Sequence, residues 1–471
     1  MKLDKPVSRR TSTREIVKMY LQRKAAMKKW FEANKQRVSL TTDIWEAKIT
    51  RASYMVVTAH YIDECWRLKK LIIGFKHVSD HKGQTISRVL LDVLADWGIE
   101  KIFCVTVDNA TANSSALRRF HGQFFLVSDD ALVLDGEWLH MRCSAHIINL
   151  IVKDGLTDAN ESVDAVRNAV VYVRGSGNRL ISFEQKVESG RMTRGSFPLD
   201  VTTRWNSTYL MLSTALKFRV GFDKMETEDK LYNDYFMEVG DKGKKRVGPP
   251  QYADWEAIER LGRFLVIFYN STLVVSASTS LNAHKCYEEI VNIATNLLAL
   301  SESTDHELKD KAEEMFKKFD KYWDGLKNIN KMLIVATVFD PTEKMVLASL
   351  CFDELYGKDS LEGKAMYDSV MSVLRSLFKE YGARYGKEAG GKSDEAKTNN
   401  NGSTPCSREL SMIGTDLHDD GLGYKRIGQR YKEMLNEIGV KDNRDELDIY
   451  LKEGVENPDM MAGVEYDVLS F

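Results

Sequence analysis

The feature that most constrains the fold is an ordered succession of strand-like and helix-like runs between residues 37 and 152. The strand-like runs lie at 37–45, 53–62, 71–78, 101–108 and 138–142, and the helix-like runs lie at 83–97, 109–125 and 144–152. The fourth strand-like run, KIFCVTVD, is nearly all apolar, which is typical of a strand buried on both faces. The predicted order is therefore β-β-β-α-β-α-β-α.

This order predicts an α/β fold built on one mixed sheet. Short connections between the first three strands indicate an antiparallel meander. Helical crossovers then add parallel strands to it. We expect the first and fourth strands to be neighbours at the centre of the sheet, with helices on its faces.

The remainder of the chain has a mainly helical pattern. A basic helix is predicted at 12–36, and helical periodicity dominates from about residue 161 to 383. The run at 387–406 is rich in Gly, Ser, Asn and Lys and nearly free of apolar residues, which predicts a disordered linker. Helices are predicted again at 424–438 and near 445–451.

Composition excludes several classes of protein. No stretch of about 18 consecutive apolar residues is present, so no membrane span is predicted. The basic start lacks an apolar segment, so no secretory signal is predicted. The six cysteines are scattered without a C-x-x-C pair, which disfavours a zinc finger or a disulfide framework and favours a reducing compartment.

Charge is unevenly distributed along the chain although its net value is only -2. Residues 1–40 hold twelve Lys and Arg against three acids, whereas residues 441–471 hold nine acids against three basic residues. The basic start either faces phosphates or is a solvated helix face, and charge alone leaves both interpretations open.

Two aspartates follow strands that we expect to be neighbours. Asp43 ends the first strand and Asp108 ends the fourth, where α/β sheets commonly bind ligands. Two such carboxylates can hold divalent metals, and hard oxygen ligands suit Mg²⁺ or Mn²⁺. Aspartate also ends strands for purely structural reasons, because it favours turns and helix N-caps.

Two further motifs carry chemically versatile side chains. Cys143 and His146 form a C-x-x-H at a strand-to-helix turn, which is either a nucleophile pair or a buried thiol beside a satisfied histidine. Arg204 and Trp205 offer a phosphate contact and a stacking plane. The alternative for this second pair is an aromatic seated between helices with the arginine at the rim.

Taken in order, the motifs resemble the hAT transposase superfamily, particularly its plant members of the zinc-finger BED, Ricesleeper-like kind. The matching runs are RVSLTTDIW, VTVDNATAN, MRCSAHIINLIV, TTRWNSTYLM, IVATVFDP, DELDIYL and YDVLSF. Each motif is weak alone, but their joint occurrence in this order is specific. The resemblance extends from about residue 7 to the last residue and is weakest across 387–410.

The resemblance implies a ribonuclease-H-like fold with a large all-α insertion. It implies five segments: a basic N-terminal helix at 1–36, a ribonuclease-H-like core at 37–207, the all-α insertion at 208–386, a disordered linker at 387–410, and the start of a C-terminal dimerisation region at 411–471. DNA is the implied partner, the nucleus the implied location, and homo-oligomerisation through the C-terminal region is expected.

The resemblance also implies roles for the residues singled out above. Asp43 and Asp108 correspond to the first two acids of the family's DDE triad. Trp45 and Trp205 resemble aromatics that handle a flipped base. Cys143 and His146 match the family's C-x-x-H motif near the active site.

Three departures from the family pattern shape the functional expectation. The amino-terminal BED zinc finger is absent, the third acid cannot be placed, and the dimerisation region is cut short. We therefore expect a transposase-like DNA-binding protein that is catalytically incomplete. An active metal-dependent transposase completed by a C-terminal acid, a domesticated derivative and a decayed transposon remnant stay open as alternatives.

Overall fold

The computed structural model describes residues 8–34, 36–156, 159–187, 197–198, 200–201, 204–239, 243, 245–277, 281–323, 326–327, 329–389, 446–456 and 468–470. The helix predicted at 424–438 lies outside the described residues, as does most of the predicted linker. The last helix before that linker continues to Ala389. The bounds of the linker stay a prediction.

The sheet and the helices nearest to it follow the predicted order. The strands are β1 Val38–Glu46, β2 Ser53–Ile62, β3 Leu68–Val78, β4 Ile102–Val107 and β5 His140–Arg142. The helices are α1 Arg9–Asn34, α2 Gly83–Trp97, α3 Thr111–Phe124 and α4 Ser144–Leu156.

The sheet has the strand order β3-β2-β1-β4-β5. β1 pairs antiparallel with β2, and β2 pairs antiparallel with β3, which forms the predicted meander. β1 pairs parallel with β4, and β4 pairs parallel with β5. The α/β class, the mixed sheet and the central position of β1 beside β4 are therefore confirmed.

One face of the sheet forms the first hydrophobic core. Strand alternation directs Leu40, Met55 and Val57 towards α2, whose Leu90 and Val93 are also buried. Gly74 in β3 is where this packing is closest, because a Cβ atom there would lie 2.9 Å from a Val93 methyl carbon. The buried face therefore fixes the register, which leaves the opposite face of β1, β2 and β3 for function.

A second, larger core lies among the remaining helices. These are α5 Asn160–Arg174, α6 Gly177–Val187, α7 Trp205–Lys217, α8 Arg219–Glu228, α9 Lys230–Met237, α10 Tyr252–Val275, α11 Ala283–Ser301, α12 His306–Tyr322, α13 Lys331–Val338, α14 Lys344–Tyr356, α15 Leu361–Ala389 and α16 Glu446–Lys452. This second core also includes Ile147 and Ile151 of α4. The two buried clusters thus meet near the start of α4, whereas the segment boundary at residue 207 stays a prediction.

The far end of α15 joins the helical region to the sheet. Glu380 accepts hydrogen bonds from Arg37, just before β1, and from the backbone N–H of Leu134. Arg384 lies 3.1 Å from Asp130, which also pairs with Lys101 at 2.6 Å. These contacts hold the amino-terminal ends of the central strands and leave their carboxyl ends unobstructed by α15.

The short helix α16 docks onto the turn between α13 and α14. Lys344 Nζ donates to the carbonyl oxygens of Tyr450 at 3.0 Å and Glu453 at 3.2 Å. The Tyr450 hydroxyl donates to the Val338 carbonyl at 2.9 Å, and Leu447 is buried in the helical core. The motifs IVATVFDP and DELDIYL, although distant in sequence, therefore pack against each other.

Candidate functional site

The candidate site lies at the carboxyl ends of β1 and β4. The parallel register pairs Thr41 with Thr106. Asp43 and Asp108 each follow their threonine by two residues, so they lie at the same level of adjacent strands. Strand alternation directs both side chains to the same face, opposite the buried core. The structure therefore brings the two predicted acids together.

Each aspartate is held by its own local backbone. Asp43 Oδ1 accepts from the N–H of Ile44 at 2.8 Å. Asp108 Oδ1 accepts from the N–H of Ala110 at 2.9 Å and from Asn113 Nδ2 at 2.5 Å. Among the described residues, neither Oδ2 atom has a hydrogen-bond partner and neither carboxylate has an ion pair. Each aspartate therefore keeps one oxygen free for a cation.

Cys143 lies beside both aspartates at the start of α4. Its backbone N–H donates to the Val107 carbonyl at 2.8 Å, which ties it to the end of β4. Burial raises the pKa of the Cys143 thiol, and the negative charges of Asp43 and Asp108 raise it further. Backbone N–H groups at the start of α4 oppose that shift. The thiol therefore stays protonated at neutral pH, which disfavours a nucleophilic role.

His146 contributes to this arrangement through its backbone. Its N–H and that of Ala145 donate towards the Cys143 sulfur, as the first N–H groups of a helix commonly do towards a capping side chain. These backbone contacts hold the Cys143 side chain at the start of α4. A DNA-contacting role for Cys143 and His146 stays a prediction.

The donor set suits a hard divalent cation only in part. Two carboxylate oxygens facing one side are ligands that Mg²⁺ and Mn²⁺ accept. Within the described ranges, however, no group of three or more His, Cys, Asp or Glu side chains is arranged to hold a metal ion. The residues present fit two ligand positions of a metal centre.

The two tryptophans of the sequence prediction have different environments. Trp45 is the penultimate residue of β1, has 56% of its surface exposed and lies on the same sheet face as Asp43. Trp205 begins α7 and is only 5% exposed, within the helical core. Arg204, beside it, is exposed. The interpretation of Trp205 as an aromatic seated between helices thus describes its position, and a base-handling role stays a prediction.

Sequence reasoning missed Asn113 as part of the site. It lies in the quoted motif VTVDNATAN, on the first turn of α3, where its amide fixes the Asp108 carboxylate. The five-residue spacing from Asp108 was the available signal, because the turn from β4 into α3 folds the two side chains together.

The sheet topology and the strand-end carboxylates define a protein of the ribonuclease-H-like class. Three family models match the chain: the ZBED1 RNase-like domain at residues 41–138, the ZBED1 RNase-like helical domain at 141–261, and the hAT-like transposase, RNase-H fold, at 284–381. The first covers the sheet from within β1 to just before β5. The third falls on α11 to α15, which are entirely helical in the structure.

Curated relatives agree with these family models. The chain is 29% identical to a putative AC transposase of Zea mays over 98% of its own length, and 26% identical to the zinc finger BED domain-containing protein RICESLEEPER 2 of Oryza sativa over 97%. It is 28% identical to DAYSLEEPER of Arabidopsis thaliana over 78%. The chain is thus similar over most of its length to plant hAT transposases and to zinc finger BED proteins of the Ricesleeper kind. It spans 53%, 59% and 50% of these relatives, respectively.

No helix within the described ranges combines the length and apolar character that crossing a membrane requires.

Proposed function

We propose that this chain is a hAT transposase-like protein that binds DNA and holds Mg²⁺ or Mn²⁺ between Asp43 and Asp108, and that these residues alone do not complete a DNA-cutting centre. One observation carries the proposal. Asp43 lies three residues before the end of β1 and Asp108 directly follows β4, on one sheet face, and each keeps an oxygen without a partner in the described part of the chain.

The chain's own residues would act by binding and orienting. A divalent ion held there would stabilise negative charge on a phosphodiester oxygen. Asp43 and Asp108 would bind the cation through their free oxygens. Asn113 would keep the Asp108 carboxylate in one orientation, which lowers the entropy lost on binding.

Catalytic incompleteness follows from the number of ligands. Two monodentate carboxylates hold a metal ion weakly and leave its geometry open. Residues that act as a unit lose most activity when one is missing, because their effects are strongly non-additive. We therefore expect DNA binding without efficient cleavage from the described residues.

An active transposase is the second candidate function, favoured by the match to relatives whose printed name is transposase. The chain spans only about half of those relatives. A further acid supplied from outside the described residues would complete the centre. A decayed remnant would show neither binding nor cleavage. Nuclear location and homo-oligomerisation through the C-terminal region belong to the same proposal.

The test is a nicking and binding assay on labelled duplex DNA with Mg²⁺ or Mn²⁺. The proteins compared are the whole chain, Asp43→Asn, Asp108→Asn and the matched control Asp129→Asn, which changes an exposed acid away from the strand ends. We expect salt-sensitive DNA binding by all four and no cleavage. Cleavage lost in both site variants but kept in the control would show that the chain completes the centre itself, and would support the second candidate.

A further inference from the structure

An aromatic row crosses three strands on the exposed sheet face. Trp45 of β1 lies opposite Tyr54 of β2, with ring centroids 6.2 Å apart. Tyr54 stacks on Phe75 of β3, with centroids 5.1 Å apart and an interplanar angle of 4°. Trp45 is 56% exposed and Phe75 is 60% exposed. The two outer rings of the row are therefore exposed, and the Tyr54 ring packs between them.

Folding does not account for this row. The opposite face of the same strands carries the buried core, so these three rings contribute little to it. Large aromatic side chains bury much apolar area when a fold needs them. A contiguous exposed apolar surface instead marks a place where something binds.

The surroundings of the row indicate the chemistry of its partner. The turn from β1 to β2 follows Glu46 and carries Lys48 and Arg51, both exposed; Arg51 pairs with Glu46 at 2.9 Å, and Lys48 is the other cation of the turn. Ile49 at its tip is 96% exposed. Basic groups beside open aromatic faces suit a nucleic acid strand, because cations neutralise phosphates while rings stack on bases. The row also continues from Asp43, which precedes Trp45 by two residues on the same face.

We propose that Trp45, Tyr54 and Phe75, with the basic turn at 47–52, form a stacking surface for unpaired bases of a DNA strand entering or leaving the carboxylate pair. The inference rests on the proposed function and adds to it a base-stacking surface that extends over three strands. One base stacks on the outer face of Phe75 and another on Trp45. Tyr54 lies between the two rings, and Phe75 covers one face of the Tyr54 ring.

The sheet geometry explains why bases of any sequence fit. The row offers ring faces, and every base presents a π-face on which a ring can stack. The partner is therefore single-stranded DNA without strong sequence preference. A second protein bound to this sheet face would bury the same rings and would compete with the DNA strand for them.

The test measures binding of a fluorescently labelled oligothymidylate by anisotropy at low and moderate salt. Phe75→Leu and Tyr54→Leu keep apolar bulk and remove a ring. Trp66→Leu is the matched control, because Trp66 is 68% exposed in the turn at the opposite end of the β2–β3 hairpin. Circular dichroism verifies that each variant is folded.

We expect Phe75→Leu to weaken oligothymidylate binding about 5- to 100-fold, with a similar loss for Tyr54→Leu and no change for Trp66→Leu. Mn²⁺ binding should be unchanged in all three variants. Unchanged oligothymidylate binding in both row variants, or an equal loss in Trp66→Leu, would overturn the inference. Loss of oligothymidylate binding in a protein that binds no Mn²⁺ would refute the metal proposal and leave the stacking surface standing.

Discussion

The carboxylates of the sheet and those of the helical region have opposite surroundings. Asp43 and Asp108 lie at strand ends, and each keeps one oxygen without a partner in the described part of the chain. Asp200 has a side chain only 1% exposed, and it is bonded by Arg167, Ser207 and Thr208. A buried carboxylate is tolerated when its oxygens are occupied, whereas a solvent-facing one can stay available.

Asp340 and Glu343 show two further ways to place an acid in the helical region. Asp340 is buried, accepts from the N–H and hydroxyl of Thr342, and lies 3.5 Å from His284 Nε2. Burial and, to a smaller extent, the neighbouring Asp340 and Glu288 carboxylates together raise the pKa of Glu343 to about 7. Asp200 and Asp340 are thus bonded, and burial favours the protonated form of Glu343, which separates these three acids from the candidate site.

The largest effect on stability is expected at Asp200. Asp200→Ala removes the buried one of the two carboxylates that pair with the Arg167 guanidinium, the other being Asp164. Arg167 Nη2 lies 2.5 Å from the Asp200 carboxylate. The substitution also strips the acceptor from two hydroxyl groups. We expect a loss of about 3–5 kcal/mol in the free energy of unfolding, measured by urea denaturation. A loss below about 1 kcal/mol would show that the Asp200 carboxylate contributes little to the stability of the fold.

Glu343 should make stability fall as pH rises. The unfolded chain releases this proton near its ordinary pKa of 4.5, whereas the folded protein keeps it until about 7. Folded protein therefore binds more protons between these values, so the free energy of unfolding should drop by roughly 1–2 kcal/mol across that range, because Glu343 is only half buried and solvent screening reduces the effect. Glu343→Gln should flatten the dependence of melting temperature on pH between 4.5 and 7. An identical slope in the variant would refute this assignment.

Lys344 should control the attachment of α16 more than global stability. Lys344→Met keeps the apolar stem but removes the donor to Tyr450 and Glu453 and the cation over the Tyr450 ring at 4.4 Å. We expect a local loss of about 1–2 kcal/mol. Faster proteolytic cleavage within 446–456, with the rest of the chain intact, is the expected readout. Lys452→Met, on the exposed end of α16, is the control.

The smallest stability effect is expected at the candidate site itself. Asn at position 43 or 108 still accepts a hydrogen bond from the backbone N–H. Asp43→Asn and Asp108→Asn should each change the free energy of unfolding by less than about 0.5 kcal/mol. A loss above about 2 kcal/mol in either variant would show that the aspartate stabilises the fold as Asp200 does. The proposed difference between the sheet and the helical region would then be wrong.

The strand order could be predicted from the sequence because periodicity and apolar runs report local structure. The positions of Asp43 and Asp108 followed from topology alone. Burial of Trp205 between helices was one of two open interpretations, and the sequence could not decide between them, since the neighbours of Trp205 come from helices distant in the chain. The same holds for the Arg167–Asp200 contact, which joins residues 33 positions apart.

The exposed aromatic row escaped prediction for a different reason. Alternation along β1, β2 and β3 indicates which side chains share a face, but it does not reveal whether a helix covers that face. Tyr54 and Phe75 therefore looked like ordinary strand residues in sequence. Asn113 was hidden because its contact with Asp108 depends on the turn geometry between β4 and α3.

The most direct test of the central claim is titration of the whole chain with Mn²⁺, followed by electron paramagnetic resonance at neutral pH. The proteins compared are the unmodified chain, Asp43→Asn, Asp108→Asn and Asp129→Asn. The account predicts one weak, saturable site in the unmodified chain and in Asp129→Asn, and its loss in both site variants. Equal Mn²⁺ binding by all four proteins would contradict the claim that Asp43 and Asp108 together form a metal site.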